Sequence, residues 1–386
     1  MKVLHVVSSF WPATSFGGPI FSTKAVCDGI SNIGVEVNVL TTDAESPGSS
    51  KRMKLTNRNQ ISNNGYRVFY CRSIRGVSFS FQLLLNLPRA MLNADVIHLT
   101  GPYSFHVLPV LLLGRILSKP IVWSNRGGFQ ATHQWENVSK KRLKLLFEKI
   151  SHACAHTNTY MHCTSDIEID LGLKNFPKLR NIVIPNPVTP PSVDEINTIS
   201  RELNKYNKQD FRILFLSRIH EKKGIENLLL AMKALPNNIF LDIYGDGDAV
   251  YVSKLKKISS DLGIQSKVIF HGKVSGHKKT KAFLDADLFC LPSHSENFGI
   301  VIAEALAHGL PVITTNNTPW KSLDEKGCGV CMDLSKHSLH EEIIKISMRD
   351  DIKNMGAKGQ EWMKKDFSEE KIALEFFNLY KSISTL

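Results

Sequence analysis

Short apolar runs separated by longer amphipathic stretches recur along the whole chain. In the first half they are Val3–Val7, Glu36–Thr41, Val96–Leu99 and Pro120–Trp123. In the second they are Arg212–Leu216, Ile239–Tyr244, Lys267–Phe270, Ala286–Leu291 and Pro311–Thr314. Apolar runs of this length without polar alternation are typical of strands buried on both faces, hence of parallel sheets covered by helices. Their alternation with helical segments predicts an α/β fold of doubly wound domains. Between the two series lies Ile184-Pro185-Asn186-Pro187-Val188, followed by Thr189-Pro190-Pro191-Ser192. Prolines at this density cannot continue a helix or a central strand, which predicts an interdomain linker at about Pro185–Thr198.

Three further stretches complete the pattern. Val3–Val7 is interrupted by His5 and gives way to Ser8-Ser9; it is too short for the apolar region of a signal peptide and suits a first buried strand. Val107–Leu117 is the most apolar stretch, but it contains Gly114 and Arg115 and falls well short of the ~20 residues a membrane span needs. It predicts a core helix, and no transmembrane segment is expected. From Phe367 onward, Ile372, Leu374, Phe377 and Tyr380 recur at helical spacing and predict a terminal helix.

Composition narrows the classes. A chain of 386 residues is long for one core, and 42% hydrophobic with 22% charged residues excludes disorder and fibrous folds. A net charge of +12 suits an anionic partner: nucleic acid, a membrane surface or a phosphorylated substrate. Charge alone does not choose among them. The seven cysteines are odd in number and scattered, and only Cys328 and Cys331 have C-x-x-C spacing. With no second pair to complete a zinc site, reduced thiols in a cytoplasmic protein are the simpler expectation.

The segment richest in chemistry is Ser295-Glu296-Asn297-Phe298-Gly299-Ile300-Val301-Ile302-Ala303-Glu304-Ala305. It follows Leu291-Pro292 and opens a helical pattern. Gly299 permits close backbone approach to a ligand, and amides at a helix start attract an anion. A carboxylate before the helix and another about two turns along share one side of it. That spacing suits two hydroxyl-bearing parts of one extended ligand. As plain structure, Glu296 would be N-terminal helix charge and Glu304 a solvated face. The apolar neighbours of Glu304 fit the second reading poorly, because charge in such surroundings usually has a partner.

Ser217-Arg218-Ile219-His220-Glu221-Lys222-Lys223-Gly224 follows the run Arg212–Leu216. Cations at the carboxyl end of a parallel strand, beside a glycine and a helix start, fit a phosphate loop. Arg218 can grip phosphate bidentately and Lys223 can act as a point charge; a solvated loop cluster fits equally. Phe16-Gly17-Gly18-Pro19 lets backbone amides approach a pyrophosphate, though many loops carry paired glycines. Gly245-Asp246-Gly247-Asp248 lacks the third glycine of a dinucleotide fingerprint and reads as a turn.

Taken together these segments resemble family 4 glycosyltransferases, retaining enzymes of the GT-B fold. Glu296 and Glu304, seven residues apart, resemble the family's E-x7-E motif, within S-x-x-E-x-F-G-I-x-x-x-E-A. Ser217-Arg218 with Lys223-Gly224 is similar to its S-R-L-x-x-x-K-G loop, Gly17-Gly18 to its N-terminal glycine loop, and Val183-Ile184-Pro185-Asn186 to its V-I-P-N-G-V segment. Tyr244-Gly245-Asp246-Gly247 and Phe270-His271-Gly272 stand where the family has similar turns. The motifs run in order to about Val330, and Thr314–Val330 resembles a stretch of the O-antigen and capsule branch.

The resemblance implies two Rossmann-like doubly wound domains facing across a cleft. Residues 1–188, joined by a returning terminal helix at 367–386, would bind acceptor, and 199–366 would bind the nucleotide sugar. Glu296 would hold donor-sugar hydroxyls, Glu304 the ribose hydroxyls, and Arg218 and Lys223 the diphosphate. Backbone around Asn297, Phe298, Gly299, Ile300, Gly17 and Gly18 would line its other oxygens. No metal and no cofactor besides the nucleotide sugar is implied. One departure is Ser124-Asn125-Arg126-Gly127-Gly128, where Arg126 stands in place of a histidine that many relatives carry. Arginine cannot act as a general base; it can bind phosphate of donor or acceptor. Front-face attack, with a donor phosphate oxygen taking the acceptor proton, then fits retention. His98 is expected at a strand end, either facing the cleft or satisfied by hydrogen bonds.

The basic amphipathic segment Ser139–Ile150 either rests on anionic lipid, near a lipid-linked glycan acceptor, or packs its apolar stripe on the sheet. The implied protein is cytoplasmic or peripheral on the inner face of the membrane, transferring a hexose or N-acetylhexosamine in bacterial surface-polysaccharide assembly. Rival readings are a nucleotide-sugar epimerase or phosphorylase on the same fold, and a nucleic-acid-binding protein. The last has only charge in its favour, since aromatic platforms among the basic residues are missing.

Overall fold

The computed structural model describes residues 1–49, 51–74, 78–129, 141–172, 176–202 and 210–384. The chain divides into two compact units, Met1–Pro187 with Glu369–Leu386, and Val188–Ser368.

The first unit is built on β1 (Lys2–Val7), β2 (Glu36–Thr42), β3 (Asn59–Ile61), β4 (Arg67–Cys71), β5 (Val96–Thr100), β6 (Ile121–Ser124), β7 (Thr159–Cys163) and β8 (Arg180–Val183). Their order is β3-β4-β2-β1-β5-β6-β7-β8, parallel except for the antiparallel edge strand β3. Val3, Val6, Val96, Ile97, Leu99, Val122 and Trp123 are buried on both faces of the sheet, as parallel strands require. Each such side chain contributes roughly 1.5–3 kcal/mol by leaving water. The predicted core helix is present at Val107–Ile116. The terminal helix, Glu369–Ser384, belongs to this unit and buries Ile372, Phe376 and Tyr380, while Leu374 faces solvent. It lies against the helix Gly18–Asn32 so closely that a Cβ on Gly29 would stand 2.9 Å from Ala373 Cβ.

The second unit contains β9 (Phe211–Leu216), β10 (Ile239–Tyr244), β11 (Val268–Gly272), β12 (Leu288–Leu291), β13 (Val312–Thr315) and β14 (Gly329–Met332). All pair in parallel, in the order β11-β10-β9-β12-β13-β14. Ile213, Phe215, Leu241, Phe289, Leu291 and Ile313 form its core. Strand order reverses at β1/β5 in the first unit and at β9/β12 in the second. Such switch points, at the carboxyl ends of the strands, are where doubly wound sheets bind ligands.

The stretch expected to be linker is partly helical. Ser192 accepts from Glu195 N at 3.2 Å and starts the helix Val193–Glu202, as serine at an N-cap does. The unit boundary falls earlier, at Pro187, and Val188 N donates to Phe367 O at 2.8 Å, tying the two ends of the second unit together. Among the described residues no helix is long and apolar enough to cross a membrane.

Candidate functional site

At the β9/β12 switch point three loops converge. The loop after β9 makes a 3-10 turn at Glu221–Lys223 and leaves it through Gly224, whose φ is 66°. A side chain there is excluded, because a Cβ would stand 2.1 Å from the Pro292 carbonyl oxygen of the loop after β12. His294 N donates to Lys222 O at 2.8 Å and fastens the same two loops. The loop after β13 joins through Thr315 Oγ1, which donates to Ser293 O at 2.5 Å, and through Asn317 O, which accepts from Glu296 N at 3.2 Å.

This frame sets Lys223 Nζ 2.5 Å from Glu296 Oε1, and Ser293 Oγ donates to the same oxygen at 2.7 Å. The pair is nearly dry, with Glu296 only 8% exposed. Phe298 is buried, and its carbonyl accepts from Trp320 Nε1 at 2.6 Å. Gly299, with φ 74°, then turns the chain into the helix Ile300–Ala307. Arg218 is exposed on the loop after β9 and makes no hydrogen bond or ion pair among the described residues. Burial pushes the Lys222 ammonium below the ordinary lysine range; the Glu296 carboxylate opposes this, while the charges of Lys223 and Arg218 add to it. Three cations facing one carboxylate leave net positive charge where strand ends and a helix start meet. That arrangement attracts a di- or trianion such as a diphosphate.

Glu304 sits on the same helix with a different partner. Its Oε1 takes a hydrogen bond from Lys279 Nζ at 2.6 Å, while Oε2 is buried and has no partner among the described residues. The apolar neighbours that predicted a partner for this carboxylate are thus answered by Lys279, a residue no motif marked. Lys222, Ser293 and Trp320 were likewise given no role by sequence reasoning, although Ser293 opens the S-x-x-E pattern.

In the first unit, Gly17 (φ 81°) and Gly18 are exposed after β1, and a Cβ on Gly17 would meet no atom within 4 Å. The loop is therefore open to an approaching group. Arg126 lies just past β6 with φ 53°, and its Nη1 donates to Asn186 Oδ1 at 2.5 Å.

His98, expected at a strand end, is instead at the centre of β5 and 1% exposed, because the strand continues through Thr100. It belongs to a buried chain of hydrogen bonds: Tyr380 OH to His98 Nδ1 at 2.5 Å, His98 Nε2 to Ser124 Oγ at 2.7 Å, Ser124 Oγ to His162 Nδ1 at 2.6 Å, and His162 Nε2 to Ile184 O at 2.8 Å. A carbonyl only accepts, so His162 carries its proton on Nε2. Ser124 must then donate to His162 Nδ1, His98 Nε2 to Ser124, and Tyr380 to His98 Nδ1. The polarity is fixed from end to end with neutral rings. His5, on β1, stacks on His98 at 4.4 Å, yet both of its nitrogens lack partners. Burial and the Arg126 charge hold His5 and His162 down to about 3, and burial with the neighbouring charges holds His98 well below its usual value.

The helix Lys141–Cys154 covers most of the basic segment; Ser139 and Lys140 lie outside the described residues. Its apolar residues divide: Phe147 packs against the core of the first unit, while Leu143, Leu146 and Ile150 are exposed beside Lys141, Arg142 and Lys149. Cys328 is buried and Cys331 half-buried, both free, and burial pushes both thiols up to about 11. Among the described residues no cluster of metal-binding side chains occurs.

Comparison with known proteins places this geometry in a family. Residues 196–362 match the family model of glycosyl transferases group 1. A glycosyltransferase of Methanocaldococcus jannaschii is 30% identical over 99% of this chain and 98% of its own. The GDP-mannose:cellobiosyl-diphosphopolyprenol alpha-mannosyltransferase of Xanthomonas oryzae is 28% identical, covering 87% of this chain and 84% of its own. The solved structure of HepE from Anabaena in complex with UDP-glucose has a TM-score of 0.70 at 18% identity, covering 99% of this chain and 100% of its own. The chain belongs to the glycosyltransferases and has the GT-B fold.

Proposed function

We propose that the chain is a retaining glycosyltransferase that moves a hexose or N-acetylhexosamine from a nucleotide sugar to a glycan acceptor, in bacterial surface-polysaccharide assembly. The observation that carries this reading is the Lys223–Glu296 pair at the β9/β12 switch point, with Arg218 and Lys222 beside it. Arg218, Lys222 and Lys223 neutralise the diphosphate as the bond to the anomeric carbon breaks, so that leaving-group charge is met by preorganised cations of the chain itself. Glu296 accepts hydrogen bonds from donor-sugar hydroxyls. Glu304, steadied by Lys279, takes the ribose hydroxyls with its free Oε2. Backbone at Asn297–Ile300 and at Gly17-Gly18 lines the remaining phosphate oxygens. The acceptor oxygen attacks on the face the diphosphate leaves, and a released phosphate oxygen takes the acceptor proton. The reading requires neither metal nor additional cofactor. A relative that acts with GDP-mannose on a diphosphopolyprenol-linked sugar, and a neighbour solved with UDP-glucose, support a nucleotide-sugar donor and a lipid-linked acceptor.

The first unit supports a peripheral position on an anionic membrane face. Leu143, Leu146 and Ile150 are exposed among lysines and arginine, and Leu85, Leu92, Leu112 and Ile116 are exposed on other helices of that unit. Apolar side chains flanked by cations bind interfaces by insertion together with attraction to anionic lipid. The experiment for the reaction is NMR of the product formed from an α-linked nucleotide sugar. An α-glycoside is expected; a β-glycoside, or conversion of donor to its epimer without acceptor, contradicts the reading.

A further inference from the structure

Arg126 occupies a backbone conformation that residues other than glycine, asparagine and aspartate seldom adopt. The turn around it is firmly held. Gly127 N donates to Asn125 Oδ1 at 2.8 Å and to Glu168 Oε1 at 2.5 Å, and Gly128 N donates to Asn125 O at 3.1 Å. A Cβ on Gly128 would stand 2.2 Å from Pro102 Cγ, so the turn has no room to relax on that side.

Within this turn one guanidinium nitrogen, Nη1, is used on Asn186. Nε and Nη2 are removed from water and meet no acceptor among the described residues. These two N–H groups lie along one edge of the guanidinium and point the same way, the edge that grips two oxygens of a single carboxylate or phosphate. Glu168 is the carboxylate whose field reaches Arg126, but its oxygens are engaged by Gly127 N, Thr164 N and Thr164 Oγ1. The other groups in that field, Tyr380, Cys27, His5, His98 and His162, are neutral, and among the described residues both nitrogens of His5 also lack partners. A dry cation with two unmet donors is costly to a folded chain unless a ligand completes it.

We infer that Arg126 is the anion-reading residue of the first unit, and that it takes an oxyanion borne by the acceptor, a uronic carboxylate or a sugar phosphate. This rests on the proposed placement of the acceptor in the first unit. A neutral sugar offers hydroxyls but no pair of charged oxygens to fill the fork. An acidic acceptor would therefore be selected over its neutral counterpart.

The test uses the full chain and three probes, D-glucuronate, glucose 1-phosphate and D-glucose, read by saturation-transfer NMR, with UDP-glucose and GDP-mannose in parallel. At least one acidic probe should bind, and D-glucose should not compete with it. Arg126→Met should weaken that binding about 10-fold or more, the loss expected for a charge-assisted pair in a dry site. Arg126→Lys, which keeps charge but loses the fork, should weaken it several-fold. Lys223→Ala should lower nucleotide-sugar binding and any glucose 1-phosphate binding at the cations after β9, so only the binding lost in Arg126→Met but kept in Lys223→Ala is assigned to the first unit. Whichever acidic probe responds to Arg126 identifies carboxylate or phosphate as the source. The unliganded Arg126→Met chain should melt no lower than the parent, because an unpaired charge has been removed. The inference is overturned if neither acidic probe binds, if Arg126→Met or Arg126→Lys binds it as the parent does, or if Arg126→Met lowers the melting temperature. Nucleotide-sugar binding that persists in those cases leaves the donor site standing; its absence from the parent chain overturns the donor reading instead.

Discussion

Acidification should unfold the first unit from its buried histidines outward. In the unfolded chain His5, His98 and His162 take up protons near 6.5, whereas in the fold His5 and His162 titrate at about 3 and His98 well below its usual value. Between those limits the unfolded chain binds more protons than the folded one, so stability is present above pH 6.5 and is lost as pH falls toward 3. Each histidine protonated only in the unfolded state removes about 1.4 kcal/mol per pH unit, or ~2 kcal/mol between pH 7 and 5; three remove ~6 kcal/mol, comparable to the whole stability of a typical domain. The hydrogen-bond chain gives the physical reason. Protonating His98 or His162 sets two donors against each other somewhere between Tyr380 and the Ile184 carbonyl. The assay is urea unfolding at pH 7, 6 and 5, followed by hydrogen exchange resolved to the peptides of β1, β5 and β7. His5→Phe, which replaces a ring with two unmet nitrogens, should recover ~2 kcal/mol of a loss to which His106, also buried in this unit and held down to about 4, adds a fourth share. A first-unit stability that changes by less than ~1 kcal/mol between pH 7 and 5 refutes the reasoning.

Three further outcomes follow from individual contacts. Tyr380→Phe leaves His98 Nδ1 buried without a donor and should lower first-unit stability by about 1–3 kcal/mol, read from the same urea curves. Gly224→Ala forces a Cβ onto the Pro292 carbonyl in a left-handed conformation; it should cost at least ~2 kcal/mol and loosen nucleotide binding with it, which titration calorimetry reads. Because burial lowers the Lys222 pKa, nucleotide affinity should fall as pH rises through that lowered value, before the ordinary lysine range, and Lys222→Arg should flatten the profile.

Much of this arrangement was legible along the chain, for reasons that also mark where legibility stops. Strands β1, β2, β5, β6 and β9–β13 were read because a strand buried on both faces leaves an unbroken apolar run. β7 was not, since Thr159–Cys163 has only Tyr160 and Met161 together between Thr159 and His162, a polar residue made buriable by partners on β6 and in the backbone at Ile184. β4, β8 and β14 were also missed; they open on Arg67, Arg180-Asn181 and Gly329, which leaves only short apolar runs behind them. Glu296 and Lys223 were visible as motif members, but their ion pair spans 73 positions and depends on the β9–β12 pairing. Lys279 carried no signal, because its only mark is the carboxylate it meets in space. The spacing of the apolar residues in this helix did not tell which of them face the core: Phe147 does, whereas Leu143, Leu146 and Ile150 are exposed.

The central claim is that the cations after β9 and Glu296 after β12 hold a nucleotide sugar. Saturation-transfer NMR with a panel of nucleotide sugars, on the parent chain and on Lys223→Ala and Glu296→Ala, tests it most directly. At least one nucleotide sugar should bind the parent, with Lys223→Ala weakening the nucleotide and sugar signals together and Glu296→Ala chiefly those of the sugar. Binding that is equal in all three proteins contradicts the account.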